Sequence, residues 1–301
     1  MLSTFLHKVY IYILIGLVAV SFVMIWQLTA PPYGQQVYFY IPRQEEHTVP
    51  VSMTNHFTDS GDLWLVNYDN PLPQDFTPPS LVTFQGIRLH IVAFTAYTEM
   101  LAAMSAEGGT HGLQLISAYR PYEYQQRLFD NKTRALVSQG HSAAAASELA
   151  ANIVQRPGAS EHQTGLALDV TVTGQLTQDF ALTKAGQWLA ANSHRFGFII
   201  RYPQHKTEIT NIIYEPWHLR YVGIPHASII WENGITLEEY AQFIASGPYI
   251  QWCKQSEGQA YYLVMFSEFL HDEPLPGLIY ISSTRYGGGA GYIMTFHRTT
   301  Y

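Results

Sequence analysis

The sequence contains little cysteine and little charge. Its 301 residues include a single cysteine, Cys253, which excludes an internal disulfide and any zinc site built from several thiolates. Charged residues make up 13%, against roughly 25% in an average soluble domain. The formal net charge of -7 argues against a general nucleic-acid-binding protein, since such proteins present a basic face. In contrast, hydrophobic residues reach 47%, enough for a folded core, and 13 histidines leave scope for a histidine–carboxylate metal site.

The N-terminal region contains a long uncharged apolar run. Residues 9–28 form 20 consecutive residues without charge, the length of a membrane-spanning helix. Lys8 precedes this run, which favours a cytoplasmic N-terminus and an external remainder. A cleaved signal peptide would have a shorter apolar core and a better cleavage site than residues 28–30, which Pro31 follows. A buried core helix would show a polar face. We expect an uncleaved single-pass anchor in a cell membrane, with the remainder of the chain outside.

Composition divides the chain into four predicted segments. Residues 1–30 are a short cytoplasmic stub and the transmembrane anchor. Residues 31–61 are rich in proline and polar residues without a clear period, which is typical of a stalk. Residues 62–242 form the predicted compact domain, and residues 243–301 a small β-rich extension of unknown role.

Hydrophobic periodicity predicts an α+β fold, in which a small antiparallel sheet is flanked by helices. Helices are predicted over residues 91–106, 122–137, 143–154 and 184–193, and from Thr236 onward. Strands are predicted over residues 113–117, 165–173, 198–202 and 209–214, and in the extension over 261–266, 278–282 and 291–296.

The segment 160–169, Ser-Glu-His-Gln-Thr-Gly-Leu-Ala-Leu-Asp, carries the first half of a candidate metal site. His162 lies just before a predicted strand, and Asp169 lies within it on the same face as Ala167. The small alanine leaves room for an ion. A histidine nitrogen and an aspartate oxygen are ordinary zinc ligands.

The segment Glu215-Pro216-Trp217-His218 carries the second half. Because Pro216 disfavours a helical conformation at Glu215, we expect Glu215 to end the strand from Ile209 and His218 to follow in a turn. Two histidines and one aspartate leave the fourth position of a zinc ion for water. Glu215 beside His218 could then take a proton from that water. Each residue alone is more often structural; the prediction depends on both segments together.

These residues carry a family resemblance. Ser-x-His-x-x-Gly-x-Ala-x-Asp followed downstream by Glu-x-x-His resembles the LAS-type zinc peptidases, and within them the VanY-like D-alanyl-D-alanine carboxypeptidases. Segments 117–120, 156–158, 196–203 and 217–221 also fit that family, although Pro121 stands where the family usually has serine. The resemblance covers about residues 62–242, which would then be the zinc carboxypeptidase domain.

The resemblance implies a role for each matching residue. The Zn²⁺ ligands would be His162, Asp169 and His218. Glu215 would act as general base and later protonate the leaving amine, while Arg120 would polarise the scissile carbonyl and stabilise the oxyanion. Substrate contacts would come from Ser160, Gln125, Tyr202 and Trp217. The last two could equally be core aromatics.

The implied activity is removal of the terminal D-alanine from peptidoglycan stem peptides or their precursor, with a contribution to glycopeptide resistance. Together with the predicted anchor, the resemblance implies a single-pass protein of a bacterial cell membrane whose catalytic domain is extracellular. The alternatives on the same fold are an L,D-carboxypeptidase, a dipeptidase and a cross-link endopeptidase. A catalytically inactive wall-binding protein would be expected to lack Glu215, Arg120 or a ligand, and all are present. The sequence leaves the oligomeric state undetermined.

Overall fold

The computed structural model describes residues 62–246 and, beyond them, the segments 250–254, 260–267, 278–286 and 291–298. The predicted anchor (residues 1–30) and stalk (residues 31–61) lie outside the described residues. Within the part of the chain that is described, no helix combines the length and the apolar character needed to cross a bilayer.

The elements follow one another as a mixed α+β chain. The helices are α1 (Ile91–Ala106), α2 (Tyr122–Ser138), α3 (Ala143–Ala151), α4 (Lys184–Asn192), α5 (Thr207–Thr210), α6 (His226–Asn233) and α7 (Leu237–Ser246). The strands up to residue 221 are β1 (Leu81–Phe84), β2 (Ile87–His90), β3 (Gln114–Ser117), β4 (Ala167–Thr171), β5 (Phe198–Tyr202) and β6 (Glu215–Tyr221). Short 3₁₀ helices span Glu161–Thr164, Gln178–Leu182 and Ser193–Phe196. The predicted α+β class with a small antiparallel sheet is confirmed.

A four-stranded antiparallel sheet in the order β3-β4-β6-β5 forms the centre of the domain. Strands β4 and β6 are its middle pair, and Asp169 on β4 lies directly opposite His218 on β6. Directly opposed residues of an antiparallel pair have Cβ atoms roughly 4.5–5.5 Å apart. The strand register therefore brings together two residues that are 49 positions apart in the chain.

Helix α1 covers the sheet and supplies much of the main hydrophobic core. Its buried residues recur at three- and four-residue steps, as an amphipathic helix requires: Ala93, Ala96, Tyr97, Met100 and Met104. They pack in one cluster with Leu168 and Leu219 of the two middle strands. Full burial of one large apolar side chain stabilises the fold by roughly 1.5–3 kcal/mol. The middle strands are therefore held firmly against α1.

The prediction for residues 209–218 was wrong. Instead of a strand ending at Glu215, the chain forms the helical turn α5 and then strand β6, which begins at Glu215 and contains His218. Pro216 is tolerated in the strand because it lies where the β5–β6 register is irregular, between the Ile200 and Tyr202 pairs. Pairing with two neighbouring strands thus outweighs the local preference for a turn.

The C-terminal extension forms a second four-stranded antiparallel sheet. Its strands are β7 (Ile250–Lys254), β8 (Ala260–Ser267), β9 (Leu278–Tyr286) and β10 (Gly291–Arg298), in the order β7-β8-β10-β9. The sequence predicted three of these strands and missed β7. The hairpin β1–β2 and helix α6 were missed as well, because each is too short to show a clear hydrophobic period.

Candidate metal centre and catalytic site

The three predicted metal ligands converge at the β4–β6 pair. Nε2 of His162 lies 3.2 Å from Oδ2 of Asp169, and Nδ1 of His218 lies 3.4 Å from Oδ1 of the same carboxylate. One ligand atom from each residue falls within 4.8 Å of the others, and all three residues are buried. This is the spacing of donors that share one metal ion.

The orientation of His162 suits metal binding. Its Nδ1 lies 2.6 Å from the carbonyl oxygen of Ala118, to which it can donate a hydrogen bond. That bond leaves the lone pair of Nε2 facing Asp169, and neither Nε2 of His162 nor Oδ1 of Asp169 has a hydrogen-bond partner. Buried polar atoms without partners are costly. A Zn²⁺ ion would satisfy both, so the residues fit the ion that the motif implies.

The charge around the site also fits a cation. Burial together with the nearby Arg120 guanidinium lowers the pKa of His162 to about 4, so that its imidazole is neutral at physiological pH. Burial would raise the pKa of Asp169, but its interaction with the His162 ring and the charge of Arg120 outweigh burial and hold that pKa far below its usual range. Burial would lower the pKa of His218, yet the carboxylates of Glu161 and Glu215 raise it to about 9. The carboxylates around His218 thus favour a positive charge at this site, as a bound metal ion would supply.

Glu215 lies at the start of β6, beside the ligands. Its Oε2 is 3.4 Å from Nδ1 of His218. The carboxyl group is largely buried, and this burial raises its pKa. A raised pKa brings a carboxylate closer to the range in which a general base works at neutral pH.

Arg120 reaches the same point from the loop before α2. Its Nη2 lies 3.0 Å from Oδ2 of Asp169, and its backbone N–H donates to the carbonyl of His162. Pro121 occupies the N-cap of α2 in an extended conformation. The departure from the family's usual serine therefore leaves Arg120 beside the metal ligands.

The four predicted substrate contacts are all buried but differ in surroundings. Gln125 donates to the carbonyl of Gln155 at 2.6 Å, and its Oε1 has no hydrogen-bond partner. The Tyr202 ring packs edge-on against His218, with centroids 4.8 Å apart. Ser160 caps the 3₁₀ helix that carries His162 without a side-chain hydrogen bond. Trp217 belongs to the main hydrophobic core. Their roles toward substrate stay predictions.

Sequence reasoning missed a buried cluster of charges behind His218. Glu161, Arg201 and Arg220 are all fully buried, and both guanidinium groups contact Oε1 of Glu161. A signal was present: each arginine interrupts an apolar strand, in Phe-Ile-Ile-Arg-Tyr and in Trp-His-Leu-Arg-Tyr. An inward-facing arginine in such a strand indicates a buried acidic partner.

Two buried histidines, one aspartate carboxylate, a neighbouring glutamate and an arginine define the site of a zinc-dependent hydrolase. The comparisons agree with this class. The model of the VanY family, described as D-alanyl-D-alanine carboxypeptidase, matches residues 86–224. A D-alanyl-D-alanine carboxypeptidase of Enterococcus faecalis is 37% identical over 196 residues, which cover 65% of this chain and 71% of that protein. The chain belongs to the VanY family.

Solved structures of peptidases are also similar to this chain. One is a vancomycin-resistance D,D-pentapeptidase VanY from a VanB-type resistance cassette, a glutamate-to-alanine variant in complex with Zn(II). It is 40% identical, has a TM-score of 0.53, and the match covers 60% of this chain and 98% of that one. Another is the LD-carboxypeptidase LdcB, 37% identical with a TM-score of 0.52, covering 59% of this chain and 84% of that one.

Proposed function

We propose that this protein is a zinc-dependent D,D-carboxypeptidase that removes the terminal D-alanine from peptidoglycan stem peptides. One observation carries the proposal: the three ligand side chains meet in one buried site with Glu215 and Arg120 beside them. Membership of the VanY family supports the substrate class, because the family and its Enterococcus faecalis member are named for this reaction.

His162, Asp169 and His218 hold the zinc ion in this proposal. When bound, zinc acts as a Lewis acid that lowers the pKa of water and polarises a carbonyl group. Glu215 takes the proton from the attacking water and returns it to the amine of the departing D-alanine. Its position 3.4 Å from His218, with a pKa that burial raises, supports this sequence of proton transfers.

Arg120 stabilises the negative charge that grows on the scissile carbonyl oxygen. A fixed cation in a site of low dielectric lowers the barrier most where charge develops in the transition state. The hydrogen bond from the backbone N–H of Arg120 to the carbonyl oxygen of His162 holds the two backbone segments together, and the guanidinium itself lies 3.0 Å from Asp169. Gln125 and Ser160 contact the substrate's peptide terminus, and Tyr202 lines the pocket beside His218.

The direct test compares two substrates with the purified, zinc-loaded full chain. We expect a muramyl pentapeptide to lose one alanine and a muramyl tetrapeptide to stay intact, as followed by product mass. A chelator should abolish the reaction, because the attacking water then lacks its Lewis acid. A Glu215→Gln preparation is the control for a contaminating peptidase. An intact pentapeptide under these conditions contradicts the proposal.

An L,D-carboxypeptidase is the second candidate, and the likeness to the LD-carboxypeptidase LdcB favours it. The metal ligands and the general base serve either reaction, since the two differ in the stereochemistry of the residue before the scissile bond. Cleavage of the tetrapeptide in place of the pentapeptide selects this candidate and leaves the zinc mechanism unchanged. Cleavage of neither, with zinc bound, favours a cross-link endopeptidase.

We further propose that residues 9–28 anchor the protein in a bacterial membrane and that the enzyme contributes to glycopeptide resistance. The apolar length of that run supports the anchor, and the substrate class supports the resistance, since glycopeptides bind D-Ala-D-Ala ends. In a deletion strain, the full chain should sediment with membranes and lower glycopeptide susceptibility. A chain that lacks residues 1–30 should do neither. Unchanged susceptibility with the full chain removes the resistance role.

A further inference from the structure

Behind the metal ligand His218, on the side away from Asp169, lies the carboxylate of Glu161. Nδ1 of His218 faces Asp169 and Glu215, and it lies 3.4 Å from one carboxylate oxygen of each residue. The other ring nitrogen, Nε2, faces Oε2 of Glu161 at 3.8 Å. Both atoms are buried, and neither has a hydrogen-bond partner. The two unpartnered atoms therefore point at each other.

Two arginines fix the direction of this carboxylate. Oε1 of Glu161 accepts from Nε of Arg201 at 2.7 Å and from Nη1 of Arg220 at 2.8 Å. Because both bonds go to the same oxygen, the carboxylate is held at one end, and Oε2 is left directed toward His218. Charge-assisted bonds of this kind are short and directional, so rotation of the group is restricted.

The arginines are in turn held by groups outside the metal site. Arg201 makes a bidentate contact with Glu238 of α7, at 2.9 and 2.6 Å. Arg220 donates to the carbonyl oxygens of Asp62 and Trp64. Two glutamates and two arginines thus balance in charge while fully or largely buried.

Fold stability alone does not explain why Glu161, Arg201, Arg220 and Glu238 form a buried charged cluster. Removing charges from water is expensive, and well-packed apolar side chains of similar volume often stabilise a fold as well or better. A metal-bound histidine, however, commonly donates its second N–H to a carboxylate, which sets the tautomer and the ring orientation. The cluster places the carboxylate of Glu161 beside Nε2 of His218, where such a partner would lie.

We propose that Glu161 is a positioning residue, which orients His218 for metal binding through an Nε2–H to Oε2 contact, and that Arg201 and Arg220 hold it in place. His162 and His218 then present opposite ring nitrogens to the metal. His162 uses Nε2, since its Nδ1 is directed to the carbonyl of Ala118, and His218 uses Nδ1. The inference rests on the zinc site of the proposed function.

The first test measures zinc affinity of the full chain by competition with a chromogenic chelator. Glu161→Gln keeps the shape of the side chain but loses the anionic acceptor, and we expect the zinc Kd to rise by roughly 10–100-fold. The matched control is Glu239→Gln, which removes a carboxylate from the same helix, where Glu239 pairs with Lys206 and is not part of the Glu161 cluster. Its zinc Kd should equal that of the wild type.

The outcomes separate the inference from the proposed function. A wild-type Kd in folded Glu161→Gln, or an equal loss in both variants, overturns the positioning role and leaves the zinc site in place. A wild-type protein that binds no zinc overturns both. If Glu161→Gln does not fold, long-range ¹H–¹⁵N NMR of the zinc-loaded wild type decides. We expect a protonated Nε2 on His218, and zinc on that nitrogen instead overturns the inference.

Discussion

Replacing Glu215 with glutamine is expected to leave zinc bound and to lower kcat by roughly 10²–10⁴-fold. Glutamine has nearly the same shape as glutamate, so the packing at the start of β6 is retained. It cannot accept a proton from the attacking water or return one to the leaving amine. Two quantities are measured on the same preparation: the zinc content by elemental analysis and the kcat on the pentapeptide.

The matched control for this variant is Glu208→Gln. Glu208 lies on α5, exposed and seven positions before Glu215, so the same loss of charge occurs away from the site. We expect wild-type zinc content and wild-type kcat. If Glu215→Gln also retains wild-type kcat, then Glu215 is not the base. If it loses zinc together with activity, the residue serves the metal rather than the proton transfer.

Replacing His218 with alanine is expected to raise the zinc Kd by more than about 100-fold. That exceeds the roughly 10–100-fold loss typical when only an outer hydrogen-bond partner of a ligand is removed. Only His162 and Asp169 would remain, and two protein ligands do not complete the set of three that a catalytic zinc needs. Activity should fall with zinc occupancy and recover partly at high zinc concentration, because mass action refills a weakened site.

The control for this variant is His141→Ala, at an exposed histidine just before α3. It should bind zinc as the wild type does. Stoichiometric zinc with wild-type affinity in His218→Ala shows that the ligand set is wrong. Ordering the variants by zinc Kd adds a further check, since the His218 variant should lose more affinity than Glu161→Gln, which acts only through His218.

Strand β6 was only partly predictable from its own sequence. The proline in Glu215-Pro216-Trp217-His218 correctly excluded a helical pair of ligands. It could not show that His218 lies within a strand, because the register irregularity that accommodates Pro216 depends on β5. Strand pairing is a contact between distant segments, and the sequence of one segment does not specify it.

Aromatic residues near the site show the same limit. Tyr202 and Trp217 are both large, both apolar in part, and both next to charged or ligand residues in the sequence. In the structure, Tyr202 packs against His218, whereas Trp217 joins the main hydrophobic core. Because side chains alternate between the two faces of a strand, the sequence of β6 places Trp217 and His218 on opposite faces of the sheet. Only the packing of the sheet against α1 shows which of these faces is the core.

The sequence by itself determined the chemistry of this protein. The ligand types, the proposed general base and the proposed oxyanion-stabilising arginine all lie in short motifs, and that combination of side chains is typical of a zinc hydrolase. The tertiary structure decided how the groups meet. It pairs Asp169 with His218 across two strands, and it encloses Glu161 between Arg201 and Arg220 behind the ligand. The physical reason is that donor chemistry belongs to single residues, whereas distance, burial and ring orientation arise only when remote segments pack together.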